Sequence, residues 1–187
     1  MNRPALIDRE VPMISPDWCR MMAAYNAEMN RRLYAAAAEL PDAARRQDRG
    51  AWFGSIHGTL CHLLWGDRQW MSRFAGWDKP PPGQGTRPPL VEDFDGLRAA
   101  RADDDARIEA WTAGLTADWL AGDLTWFSGG SQKEMAQRRW VLLTHFFNHQ
   151  THHRGQAHAL ITQAGVRPAD TDLPWIIDLK ALGIGPD

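Results

Sequence analysis

The sequence predicts an all-α fold built on four long helices. Three observations predict it. Apolar residues recur at alternating three- and four-residue spacing in four separate segments, the period of an amphipathic helix. Helix start and stop residues bound those segments. One connection, residues 76–90, is rich in Pro and Gly and cannot be the interior of a helix or sheet. Four amphipathic helices with one long connection read as a four-helix bundle.

The first helix is expected over residues 15–40. Ser15 is an N-cap, Pro16 suits the first helical position, and Pro41 ends it. Trp18, Met22, Tyr25, Met29, Leu33 and Ala36 form its apolar face, with Asn26 and Asn30 at helical spacing beside them. The second helix is expected over 52–74, with Trp52, Phe53, Ile56, Leu60, Leu63, Trp70, Met71 and Phe74 on one face. The third starts near Val91. Its seam of Phe94, Leu97, Arg101, Asp104, Ile108, Trp111 and Leu115 includes two charged residues. Residues 124–127, followed by Ser-Gly-Gly-Ser, read as a short hairpin. The fourth helix is expected over 134–163, with Gly165 as its C-terminal stop. Residues 1–14 form an N-terminal arm. Residues 165–187 form an irregular tail pinned by Trp175, Ile176 and Ile177.

At roughly 150 residues per domain, a chain of 187 residues is expected to be one domain. Neither side of the Pro-rich loop carries enough helices to close a core alone, so the domain is 1–187. Lys and Arg number 21 against 23 Asp and Glu, with no basic run. That leaves no electrostatic footprint for nucleic acid or an anionic membrane. The first residues lack the apolar core of a signal peptide, and no stretch reaches the roughly 18 apolar residues of a span. Cys19 and Cys61 form no disulfide framework and read as small buried residues in a reducing compartment. A cytoplasmic protein is expected.

Ten Trp are present against two Tyr and six Phe. Trp18, Trp52, Trp70 and Trp111 fall on the predicted helix faces, and Trp175 is placed to anchor the tail. Trp65, Trp77, Trp119, Trp126 and Trp140 lie off the core period, free to line a site or a dimer seam.

Five of the seven His lie in residues 145–158. At about 100° per residue, Met135, Leu142, Phe146, Ala157, Leu160 and Ala164 form the core stripe of the fourth helix. His149 and His153 project into that stripe, about 6 Å apart along the axis. His145 and His152 fall on its flank, and His158 points away. Two buried imidazoles need partners. Hydrogen bonds within the core satisfy them in one reading. In the other, a shared metal ion does, the use to which an HxxxH spacing lends itself. The second helix offers His57 and His62. Ser55, Gly58, Thr59 and Gly66 surround His62 and leave it room, so it is the preferred third ligand. Three His without a fourth protein ligand make an open site of catalytic type, where an ion lowers the pKa of a bound water or thiol. Zn²⁺ or Ni²⁺ suits imidazole best here, with Fe²⁺ and Co²⁺ as alternatives.

FGSIHGTLCHLLWGDRQWMSRF at 53–74 and HFFNHQTHHRGQAHALITQAGVRPADTDLPW at 145–175 resemble the DinB/YfiT-like superfamily of metal-binding helical bundles, and YNAEMNRRLYAAAAELPD at 25–42 fits its first helix. The resemblance implies an up-down-down-up four-helix bundle, a homodimer, and a divalent ion held by His62, His149 and His153. Its better-understood members imply a thiol cosubstrate activated by the metal. Cys61 departs from the family pattern, in which Asn is commoner. Because it lies about 100° from His62 on the helical wheel, it is not expected to reach the metal.

Asp67 projects onto the apolar face of the second helix, and Arg101 and Asp104 into the seam of the third. They read as a structural polar network, or as groups that orient a ligand His. Asp67 and His152 are also the candidates for acid–base work. Arg154, off the core stripe, reads as a salt-bridge or dimer contact. Gln156 lies nearer the site. The expected function is a divalent-metal-dependent enzyme acting on a small molecule, either a transferase, thiol-dependent in the family's manner, or a hydrolase. A non-catalytic metal-binding or stress-response bundle is the alternative, and a metal-free helical dimer the third reading.

Overall fold

A computed structural model describes residues 11–86 and 88–184. The described chain is mostly helical. Its elements are α1 (Pro16–Ala38), α2 (Asp42–Arg46), α3 (Ile56–Phe74), α4 (Phe94–Ala113), α5 (Ala117–Ala121), β1 (Asp123–Ser128), β2 (Lys133–Arg138), α6 (Arg139–Gln163) and α7 (Leu173–Ile176). Most of the predicted N-terminal arm, and the last three residues of the tail, lie outside the described residues.

Capping chemistry sets the helix starts. Ser15 accepts from the Trp18 N–H at 3.1 Å, with Pro16 at the first helical position. Ser55 caps α3 through the Gly58 N–H at 3.0 Å, and Asp93 caps α4 through Gly96. These caps correct two predicted starts. The second long helix begins at Ile56, not Trp52, and the third at Phe94, not Val91. Residues 51–54 form a tight turn closed by Gly54 at φ +74°, which turns Trp52 outward. Trp52 is 84% exposed and takes no part in the core.

The four long helices α1, α3, α4 and α6 pack side by side. Helix α1 lies against α4 and α6, and α3 against the same two. The predicted hairpin is present: β1 and β2 pair antiparallel, Asp123 opposite Arg138 and Ser128 opposite Lys133. This pairing shortens the fourth long helix. It starts at Arg139 rather than 134, because β2 commits the backbone of residues 133–138 to the ladder. Met135 therefore sits opposite Trp126 in a strand instead of extending the helical stripe. The three short helices, α2, α5 and α7, fall in segments where the sequence predicts no helix.

The apolar core has two parts. One gathers Leu33, Tyr34, Leu60, Leu63, Leu97, Leu160 and their neighbours. The other gathers Cys19, Met71, Phe74, Ile108, Leu143, Phe146 and Phe147. Trp18, Trp70, Trp77, Trp111, Trp119 and Trp126 pack at the edge of the second part, half-buried. Several meet cations: the Arg107 guanidinium lies 3.5 Å from the Trp77 ring centre, and Arg73 lies 4.6 Å from Trp70. The Trp residues off the helical period thus divide. Trp77, Trp119 and Trp126 extend the second core, and Trp65 lies beside the His site described below.

Buried polar residues, chiefly Asn26, Asn30, Asp67, Arg101, Asp104, Asp105, Gln150 and Arg154, come from all four long helices. Arg101 joins Asp67 at 2.5 Å and Asp105 at 2.8 Å, and Asn30 donates to Asp105 at 2.9 Å. Arg68 reaches Asp104 at 2.6 Å. These bonds tie α1, α3 and α4 together, the structural network expected of Asp67, Arg101 and Asp104, with Asn30 joining it from α1. Arg154 differs from expectation. It is buried between α1 and α6, with its guanidinium 5.8 Å from the Tyr25 ring centre and bonded to Thr151.

Trp175 does not pin the tail, being 84% exposed, whereas Ile176 and Ile177 are half-buried. Tyr25 donates to the Thr171 carbonyl at 2.5 Å and Arg32 to the Asp170 carbonyl at 3.3 Å. No helix among the described residues is long and apolar enough to cross a membrane.

Candidate metal centre

Helices α3 and α6 pack against each other, and each turns a His face to the other. His62 comes from the second turn of α3. His149 and His153, one turn apart, come from the middle of α6. One ring nitrogen from each of the three lies within 4.8 Å of the others. The Nε2 atoms of His62 and His149 are 3.3 Å apart. Two nitrogens bound to one ion at about 2.0–2.1 Å in tetrahedral geometry are separated by about 3.3–3.4 Å, so the His62–His149 pair fits a shared divalent ion, with His153 close by. Among the described residues, this group of three is the one cluster of His, Cys, Asp and Glu with such convergence.

Two of the three rings have their other nitrogen committed. His62 Nδ1 lies 3.1 Å from the Gln84 carbonyl oxygen, which can only accept, so Nδ1 carries the proton and Nε2 presents its lone pair. His153 Nδ1 donates to Gln156 Oε1 at 2.7 Å, which frees its Nε2 in the same way. Gln156 in turn donates from Nε2 to His152 Nε2 at 3.2 Å. Among the described residues His149 Nδ1 is buried without a partner, so none of them selects its tautomer.

The site is shaped by absence of bulk on one side and by aromatic walls on the other. A Cβ at Gly66 would stand 2.7 Å from His149 Cε1, so only Gly leaves space for the His149 ring against α3. Phe53, turned inward by the same tight turn that exposes Trp52, stacks on His62 with ring centres 3.7 Å apart. Trp65 flanks His62 on the same helix at 5.9 Å.

Burial holds these imidazoles neutral. Desolvation pushes His62 down to about 4 and His149 down to about 3, with the neighbouring rings adding to the fall. His153 also falls below the usual range, again mainly through burial. Neutral imidazole is the form that can ligate.

The other sequence candidates sit apart from the three nitrogens. Asp67 is fully buried and its Oδ2 accepts from Arg101, while Oδ1 has no hydrogen-bond partner among the described residues. Burial raises its carboxyl above the usual range, and Arg101 pulls the other way. His152 is exposed and reaches His153 through Gln156. His57 is occupied elsewhere: its Nε2 bonds the Val91 carbonyl at 2.9 Å. Cys61 contacts the same carbonyl at 3.5 Å, facing away from the site. His145 lies 5.9 Å from the His149 ring and packs on Trp70 at 5.3 Å. The contributor that sequence reading misses is the Gln84 carbonyl. A backbone acceptor has no residue-type signature, and its position depends on how the Pro-rich loop folds back over α3.

No curated protein and no solved structure matches this chain. The family model described as the DinB family matches residues 9–185, which include all three convergent His, and the chain belongs to that family.

Proposed function

We propose that this chain is a divalent-metal-dependent enzyme acting on a small molecule, a transferase using a thiol cosubstrate or a hydrolase. One observation carries the reading: three imidazoles from two helices converge, with no fourth His, Cys, Asp or Glu of the described residues in the group. A three-ligand site leaves a position for a reacting molecule. The reading also takes the four long helices as an up-down-down-up bundle forming one domain, and the active species as a cytoplasmic homodimer.

When bound, a divalent ion supplies Lewis-acid chemistry that acidifies a water or a thiol. The residues of the chain do the rest. His62, His149 and His153 hold the ion through neutral nitrogens, Nε2 in His62 and His153. The Gln84 backbone carbonyl and the Gln156 side chain orient two of those rings. Phe53 and Trp65 wall the His62 side and limit water there. His152, bonded to Gln156, stands at the exposed edge, where it can take a proton from solvent-facing groups. Asp67 orders Arg101 and the helices around it.

The test is metal content followed by activity. Protein stripped with chelator is loaded with Zn²⁺, Ni²⁺, Fe²⁺ or Co²⁺, and bound metal is measured. One ion per chain is expected, lost in His62→Ala, His149→Ala and His153→Ala. Loaded protein is then assayed with low-molecular-weight thiols against electrophiles, and with small esters and amides. Turnover abolished in all three variants supports the enzyme. Stoichiometric metal without turnover on any of these substrates favours the non-catalytic alternative. Metal content equal in wild type and variants overturns the site.

A further inference from the structure

The Pro-rich loop contributes more than a connection between α3 and α4. Trp65 Nε1 donates to the Pro81 carbonyl at 2.6 Å, which pins the loop to the flank of α3. Gly85 then lies directly on that helix. A Cβ there would meet Trp65 Cβ at 2.6 Å and the Cys61 carbonyl oxygen at 2.8 Å. Gly85 also takes φ +73°. Both the approach and the dihedral admit only Gly. Gln84, just before it, adopts φ +59°, a left-handed conformation uncommon for a residue with a side chain. This conformation accompanies the aim of its carbonyl at His62 Nδ1, 3.1 Å away. Phe53 covers the His62 ring at 3.7 Å.

We propose that residues 81–86 are a positioning element for the metal site: Gly85 seats the loop on α3 so that the Gln84 backbone carbonyl fixes the His62 tautomer and ring orientation. The inference rests on the three-His reading above and adds to it a determinant 22 residues from His62. Gly85 makes no hydrogen bond to the imidazoles; its carbonyl accepts from the Leu90 N–H. Its effect passes through the Gln84 carbonyl. Losing such an outer hydrogen bond to a ligand His commonly lowers metal affinity by about 10–100-fold.

Three variants separate this role from general stability. Gly85→Ala lifts the loop from α3. Trp65→Phe removes the donor to Pro81 and keeps an aromatic ring. Gln84→Gly keeps the carbonyl and relieves the positive φ. Zn²⁺ affinity is measured by competition with a chromophoric chelator. The His62 tautomer is read in metal-free protein by long-range ¹H–¹⁵N NMR at fixed pH, and thermal melts check the fold. Gly85→Ala is expected to lose about 10–100-fold in affinity and to move His62 away from the Nδ1–H form. Trp65→Phe should shift both readouts the same way by less, and it carries the test if Gly85→Ala fails to fold. Gln84→Gly should keep wild-type affinity and tautomer. A folded Gly85→Ala or Trp65→Phe protein with wild-type affinity and an unchanged His62 tautomer overturns the proposal. Wild-type protein that binds no Zn²⁺, or binds it equally after His62→Ala, overturns instead the metal-site reading on which it rests.

Discussion

The Nε2 atoms of His62 and His149 meet at 3.3 Å although 87 positions of sequence separate the two residues. The approach depends on Gly66, one turn after His62, because its missing Cβ is where the His149 ring lies. Gly66→Ala should therefore displace His149 before it disturbs anything else. An inserted methyl in a packed site costs about 1–3 kcal/mol. The expected result is a folded protein with a lowered melting temperature and markedly weaker Zn²⁺ binding, read by calorimetry and chelator competition. Unchanged binding would refute the approach as drawn.

Zn²⁺ itself should stabilise the fold. Ligand that binds only the folded state adds about 2.7 kcal/mol at 100 times its dissociation constant. Thermal melts with and without excess Zn²⁺ should differ accordingly in wild type, and coincide in His149→Ala. A stabilisation that survives in His149→Ala would place the ion elsewhere.

Arg101 carries two buried carboxylates, Asp67 at 2.5 Å and Asp105 at 2.8 Å. Arg101→Met leaves both without their cation. Removing one partner from a buried ionic group costs about 3–5 kcal/mol. Urea unfolding should show a loss of that size. A loss under about 1 kcal/mol, the scale of an exposed pair, would mean that Arg101 is not the cation that matters.

Asp105 predicts a pH dependence of opposite sign to ordinary acid unfolding. Burial pushes its carboxyl up to about 6, with Arg101 and Asn30 opposing. The unfolded chain releases that proton near pH 4. Between about 4 and 6 the folded state holds more protons, so this group's contribution to stability falls as pH rises. Relative to Asp105→Asn, wild type should gain stability on the order of 2 kcal/mol as pH is lowered from 7 to about 4. Urea midpoints of both proteins across that range check it. A gap that widens in favour of the variant on acidification would show the opposite sign.

Trp52 and Phe146 should behave as opposites despite similar apolar character. Phe146 is fully buried between Phe74 and Phe147, so Phe146→Ala should cost about 3–5 kcal/mol. Trp52, 84% exposed, should change stability by less than about 0.5 kcal/mol when replaced by Ser. Denaturant melts compare them directly. A large loss at Trp52 would mean that it is covered by a partner or another copy.

The candidate His ligands are legible in the chain itself. His149 and His153 share a helix face, and helical geometry alone brings them together. The small residues around His62, together with the resemblance to a family, separate it from His57. Arg101 and Asp104 stand out as charges in an apolar seam. Periodicity misplaces Trp52 because it reports a face only where the helix continues, and Ser55 and Gly54 start α3 four residues beyond Trp52. Met135 is misplaced for the same reason, since strand pairing in β2 overrides a helical stripe. Trp175 escapes too, because the backbone of Asp170 and Thr171 holds the tail and leaves that ring in solvent.

The sequence by itself determined that four long helices form, the Ser15 cap, the hairpin, and the identity of the imidazoles available to a metal. Those follow from local rules: rotation per residue, capping hydrogen bonds and Pro or Gly conformation. The tertiary structure alone decided the distance between His62 and His149, the Gln84 carbonyl on His62, and the sharing of Arg101 by Asp67 and Asp105. Each depends on how far apart two helices pack or where a loop folds back. Such distances come from side-chain volumes summed over the whole core, which no local pattern encodes.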